Sequence, residues 1–271
     1  MPFDNEMEEP QAAVAHYQEE LLQYNKEEFP EQWATVQFNL GAAYLDWNPN
    51  ESTEHTLKAI ECFQDALTVF NPEESPEEYG LTTQTLGGAY FEMAHEDALT
   101  YLPSAQQAYE LALEVRTQEA SPFDWAEIQN QLAIIHTNLA TSEPEVHLKQ
   151  AIACCEAALE VRTKEEVPDA WAQTQKNMGA AWAAFPDDGT HAHLHSAIAC
   201  YQEALSVHTE EEFPFDWALL QSGVGDVYMQ LGEMETAATY YEFALEEMNR
   251  QQADDYIADL ERKLKIAQGE V

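Results

Sequence analysis

The chain has 271 residues, with 51 acids against 11 bases and a net charge of −40. So few Lys and Arg speak against direct nucleic-acid binding, which depends on contacts to phosphates. No apolar run approaches the roughly 18 residues of a membrane span, and the acidic start MPFDNEMEEP lacks the apolar centre of a signal peptide, so a cytoplasmic protein is expected.

In chain order, residues 10–28 are a predicted lead-in helix, beginning PQAAVAHYQEELLQYN. From Pro30 onward a pattern recurs every 46 residues: Pro30, Pro76, Pro122, Pro168 and Pro214. Three residues after each comes an aromatic ring (Trp33, Tyr79, Trp125, Trp171, Trp217). Eight further on sits a small residue (Gly41, Gly87, Ala133, Gly179, Gly225). One unvarying period predicts a stack of repeated units, in which each unit contacts its neighbours. The expected units are 30–75, 76–121, 122–167 and 168–213, then a shorter 214–249. Each reads as two helices. The first starts at the Pro, whose missing N–H costs nothing at a helix start, and an acid follows within two residues, matching the helix dipole. The second, as in AIACYQEALSVHT at 197–209, has apolar residues at i, i+3, i+4 and i+7 spacing. Residues 252–268 form a last amphipathic helix, the predicted cap of the stack.

The four cysteines fall in apolar slots. Cys62, Cys154 and Cys200 share one slot with Ala108, and Cys155 shares another with Phe63, Tyr109 and Tyr201. Free, reduced, buried thiols are expected. The recurrent Trp, one turn into an amphipathic helix, points to core between repeats. His191 and His195 are the one metal-like pair, spaced a helical turn apart. Two ligands fall short of a catalytic zinc site, so no metal and no cofactor is expected. Acid pairs precede four of the prolines: Glu27-Glu28, Glu73-Glu74, Glu165-Glu166 and Glu211-Glu212. Stacked, they form a negative edge, either a landing strip for a basic partner or a solvated border.

Leu40-Gly41 with Tyr44, and Leu86-Gly87 with Tyr90, form L-G-x-x-Y runs. Ala59, Phe63, Ala66 and Leu67 follow the first in an A-x-x-x-[FY]-x-x-A-L pattern. Together these resemble the tetratricopeptide repeat. The fifth unit, through Gly225, Tyr228, Gly232, Ala237, Tyr241 and Ala244, matches its shorter period of roughly 34 residues. The long units are similar to bacterial repeats, notably cyanobacterial ones that sit beside caspase-like protease or signalling NTPase modules. The resemblance implies an all-α fold: one right-handed superhelical solenoid of antiparallel helix pairs across residues 1–271, with about twelve helices. It also implies that the first helices line a concave face. Carried over by slot, that face would present Phe38, Gln84, Asn130, Lys176 and Ser222, with Asn39, Gln131, Asn177 and Asp226 beside them. Trp47, in a long connection, is a further candidate contact.

The function these readings point to is a non-catalytic scaffold or adaptor that binds a basic or amphipathic segment of a partner protein. Two alternatives stand beside it. One is an acidic polyanion mimic or chaperone that masks a nucleic-acid-binding protein. The other is a regulatory subunit of a separately encoded protease or signalling module. Self-repulsion at this net charge predicts that the melting temperature rises between low salt and about 0.5 M NaCl, as screening takes hold. Scanning calorimetry across that range checks this, and a flat melting temperature would show charges too widely spaced to matter.

Overall fold

The computed structural model of the chain describes residues 10–47, 53–141, 143–186 and 189–270. Among these there are twelve α-helices and no strand. They are α1 (Pro10–Glu20), α2 (Pro30–Asp46), α3 (Thr53–Ala66), α4 (Pro76–Glu92), α5 (Ala98–Ala112) and α6 (Pro122–Leu139). After these come α7 (Pro144–Leu159), α8 (Pro168–Ala183), α9 (Ala192–Leu205), α10 (Pro214–Gln230), α11 (Met234–Gln251) and α12 (Asp254–Ala267). The fold is an α-solenoid of helix pairs, and contacts run mainly between consecutive helices. Internal contacts divide the chain into two compact units, Met1–Ile128 and Gln129–Val271, with the division inside α6.

Each recurrent Pro is the first residue of a helix, as its locked φ favours. What stops the chain before it was not anticipated. Five residues ahead of each Pro stands Asn25, Asn71, Thr117, Thr163 or Thr209. The side-chain oxygen of each accepts a backbone N–H two or three residues on: Glu28 to Asn25 at 2.8 Å, Glu74 to Asn71 at 2.9 Å, Glu166 to Thr163 at 3.2 Å. The carbonyl of the same residue accepts the N–H of the residue before the Pro, at 2.9–3.1 Å in all five copies. These Asx- and Ser/Thr-type turns end one helix and set up the next. They also hold the acid pairs out in solvent. The same chemistry corrects the lead-in helix. It ends at Glu20 rather than continuing to residue 28, because Leu22 and Gln23 tighten to i−3 bonds and the Asn25 turn takes over. The last helix, α12, lies inside the predicted cap and packs on α11 through Ile257, Leu260 and Leu264.

Within each pair the first helix meets a ring from the second. A methyl placed on Gly41 would lie 2.7 Å from the Phe63 ring, one on Gly87 2.9 Å from Tyr109, and one on Gly179 2.8 Å from Tyr201. On Gly225 it would lie 2.7 Å from Tyr241. Nothing but glycine fits under these rings. The third pair carries Ala133 in the glycine slot and Cys155 in the ring slot, both fully buried. The smaller sulfur side chain leaves the volume that an alanine methyl needs. Trp33, Trp171 and Trp217 are half-buried against the core clusters, as their spacing predicts.

Gly179→Ala is expected to destabilise the protein by about 2 kcal/mol through overpacking against Tyr201. Combining it with Tyr201→Cys, which recreates the third pair's chemistry, is expected to cost about 1 kcal/mol less than the sum of the two single changes. Urea unfolding of the four proteins measures this coupling.

Candidate partner-binding surface

The residues that the family resemblance places on a concave face fall into two groups. In the Met1–Ile128 unit, Asn39 and Gln84 are half-buried on α2 and α4. Phe38 is not a groove residue. It is 8% exposed and packs on Phe63, with ring centroids 5.6 Å apart. The helix turns this slot inward in α2 because Phe63 offers it an aromatic partner. Trp47 does not project as a free contact either. It caps α2, its N–H donating to the Ala43 carbonyl at 2.9 Å, and its ring lies 4.6 Å from that of His55. An indole next to its own helix end buries more area folded back than extended.

In the Gln129–Val271 unit the expected residues are built into links between helices. Asn130 is 3% exposed and its Oδ1 accepts from Asn177 Nδ2 at 2.9 Å, joining α6 to α8. Lys176 Nζ donates to Asp216 Oδ1 at 3.0 Å, joining α8 to α10. Asp226 accepts the Tyr241 hydroxyl at 2.8 Å and Lys263 at 3.0 Å, fastening α10 to α11 and α12. Burial and this donation to a carboxylate push the Tyr241 phenol well above its usual range. Gln131 and Ser222 are half-buried on the same helices. Asn130, Lys176, Asn177 and Asp226 therefore hold helices together first, and any partner meets them already bonded.

His191 and His195 do not share a helix face. His191 precedes α9 with a left-handed φ of +55°, and only its carbonyl joins the helix, accepting from His195 N at 3.2 Å. His195 is exposed and His193, between them, is buried. Asp187 and Asp188 of this stretch lie outside the described residues. Among the described residues no group of three or more His, Cys, Asp or Glu side chains is arranged to hold a metal ion.

Sequence reasoning missed a row of buried basic side chains 46 residues apart, Arg116, Arg162 and His208. The same period that exposed the prolines would have found them. Arg116 pairs with Asp124 and lies 3.9 Å from Glu77. Arg162 Nη1 donates to Thr174 Oγ1 at 3.1 Å. His208, 0% exposed, has Nε2 2.8 Å from Asp169 Oδ1. Each ties the end of a second helix to a first helix. Other bases are also engaged. Lys58, Lys149, Arg250 and Arg262 pair with acids on their own helices, and Lys26 and Lys164 lie 5.1 Å over the rings of Trp33 and Trp171. Ten of the eleven bases thus have a partner inside the chain. Acids outnumber bases by 51 − 11 = 40, and the acid pairs before the prolines lie exposed.

The thiols are free, and Cys62, Cys155 and Cys200 are buried. Burial pushes Cys62 up to about 12 and Cys200 to about 11, with nearby carboxylates adding to both, and drives Cys155 higher still. A thiol held that far above its usual range is protonated at neutral pH and is a poor nucleophile.

No protein-family model matches the chain, and no curated protein matches it. Solved structures do. BtubC from P. vanneervenii is similar over 90% of this chain and 92% of its own, at 17% identity and a TM-score of 0.62. That likeness is one of fold. The TPR2AB domain of yeast Sti1 in its pHSP90 complex aligns at 15% identity over 96% of this chain and 92% of its own, with a TM-score of 0.38. Yeast Tom70 aligns at 14% over 95% of this chain and 60% of its own, with a TM-score of 0.32.

The thiol environment carries its own test. In the native protein at pH 8, Cys154, the half-buried member of the four, is expected to react with a disulfide reagent at least about tenfold faster than the other three. Mass mapping of the labelled sites against time checks the order.

Proposed function

We propose that this chain is a non-catalytic protein-interaction scaffold of tetratricopeptide type, which receives a basic or amphipathic segment of a partner protein on its first-helix faces. One observation carries the reading: ten of the eleven bases are already engaged within the chain, against 51 acids, so its surface offers carboxylates to a partner's cations. Such a surface raises the rate of encounter with a basic segment and orients it. Asn39 and Gln84 in one unit, and Gln131, Asn177 and Ser222 in the other, would then supply hydrogen bonds at close range. Asp226 would add a carboxylate already held by Lys263. The carboxylates of Glu28 and Glu74 are held by the side-chain amides of Asn25 and Asn71, so these need little ordering on binding. Among the described residues no helix is long and apolar enough to cross a membrane.

The excess charge also favours a second reading, a polyanion mimic that occupies the nucleic-acid site of its partner. The two differ in where the partner binds and in what displaces it.

The test is affinity capture from native lysate at about 0.05 M and about 0.15 M salt, with mass-spectrometric readout. The scaffold reading predicts a discrete partner retained at the higher salt and displaced by a peptide of its own basic segment. It also predicts loss of capture in Ser222→Lys, with the melting temperature unchanged. Displacement by nucleic acid and indifference to Ser222→Lys would favour the mimic. A broad set of basic proteins that washes away at the higher salt would contradict both.

A further inference from the structure

A pocket of about 560 Å³ opens in the Gln129–Val271 unit, where the end of α9, α10 and the first turns of α11 meet. Leu205, Gln221, Glu235, Tyr240 and Phe243 are among the residues that line it. Three of these residues set the pocket apart from the repeats around it. Gln221 is 8% exposed and its Oε1 has no hydrogen-bond partner. Its counterpart in the first pair, Gln37, has its amide Nε2 bonded to Asp65 Oδ2 at 3.2 Å. In α11 the place of Asp65 is taken by Phe243, which stands 46% exposed. Likewise Tyr240 takes the place that Cys62 and Cys200 hold in α3 and α9, and its ring stacks on Tyr228 at 5.4 Å. Both departures from the repeat face the same pocket.

Phe243 removes the acceptor that Gln37 Nε2 finds in Asp65, and the atom left unbonded at Gln221 is the amide oxygen, which takes a donor. Its charge is positive, because the lining holds one acid and no base. The start of α11 adds about half a positive charge, which the full charges of Glu233 at its N-cap and Glu235 outweigh. The ligand also has an apolar stem and a face that lies on aromatic rings. A planar guanidinium on a three-carbon stem meets all of these demands. It stacks on an aromatic face, donates to a carbonyl and pairs with a carboxylate at once. We infer that this pocket binds an arginine side chain of a partner polypeptide. None of the residues given a partner-binding role above lines this pocket, so it is tested separately from the scaffold reading.

The test is a 1H–15N NMR titration of the full chain with N-acetyl-arginine amide, N-acetyl-lysine amide and N-acetyl-norleucine amide, at about 0.15 M salt. The arginine amide is expected to give saturating shifts confined to the Gln221 side-chain amide and the backbone of Thr236 and Thr239, with a Kd of about 1–10 mM. Glu235→Gln and Phe243→Ala, both at exposed positions, should each weaken it at least about fivefold and leave the rest of the spectrum in place. Equal binding of the norleucine amide would reduce the site to an apolar hole and overturn the inference. Equal binding of the lysine amide would overturn the assignment to a guanidinium. Absence of saturation, or shifts spread over the acidic turns, would overturn the site itself.

Discussion

A ring seated on a glycine sets the distance between the two helices of four of the five pairs. Phe63, Tyr109, Tyr201 and Tyr241 each lie so close to the opposite helix that no side chain fits beneath them. That contact fixes how far apart the helices stand, and so where every other interhelical residue meets its partner. The third pair shows that volume, rather than identity, is what is held constant: Ala133 and Cys155 together replace a glycine and a ring.

With the helices so spaced, their ends come within reach of buried basic side chains, and this shapes the surface. Arg116, Arg162 and His208 spend their donors on Asp124, Thr174 and Asp169 inside the fold. Lys176 and Lys263 do the same across α8, α10 and α12. A buried or half-buried base must be matched by an acceptor, and each match removes a cation from the exterior. The turns before the prolines act in the opposite direction, because their backbone bonds leave the acid pairs in water. Burial of Arg116, Arg162 and His208 and display of the acid pairs are thus two results of one architecture.

Much of the fold was legible in the sequence, for a physical reason. Proline at a helix start, glycine under a ring and apolar residues at helical spacing are local demands, and a repeat writes each of them four or five times. The turn formers Asn25, Asn71, Thr117, Thr163 and Thr209 obey the same period but change residue type, so the pattern hid them. The surface was less legible. Phe38, Asn130 and Asp226 sit in slots that a slot-by-slot transfer assigns to a groove. Their fate is decided by particular neighbours: Phe63 for Phe38, Asn177 for Asn130, and Tyr241 with Lys263 for Asp226. His191 was misplaced because a left-handed backbone lies outside what helical spacing describes. The pocket at Gln221 was visible only as two departures from the repeat, Tyr240 and Phe243, whose meeting point depends on the fold.

If carboxylates displayed by the fold guide a basic partner to it, that guidance is kinetic. The most direct measurement is the association rate of the captured partner by stopped-flow mixing across ionic strength. Guidance by the carboxylates gives an association rate that falls steeply with salt while the dissociation rate changes little. An association rate indifferent to salt would contradict it, and would leave the net charge of −40 as a means of solvation alone.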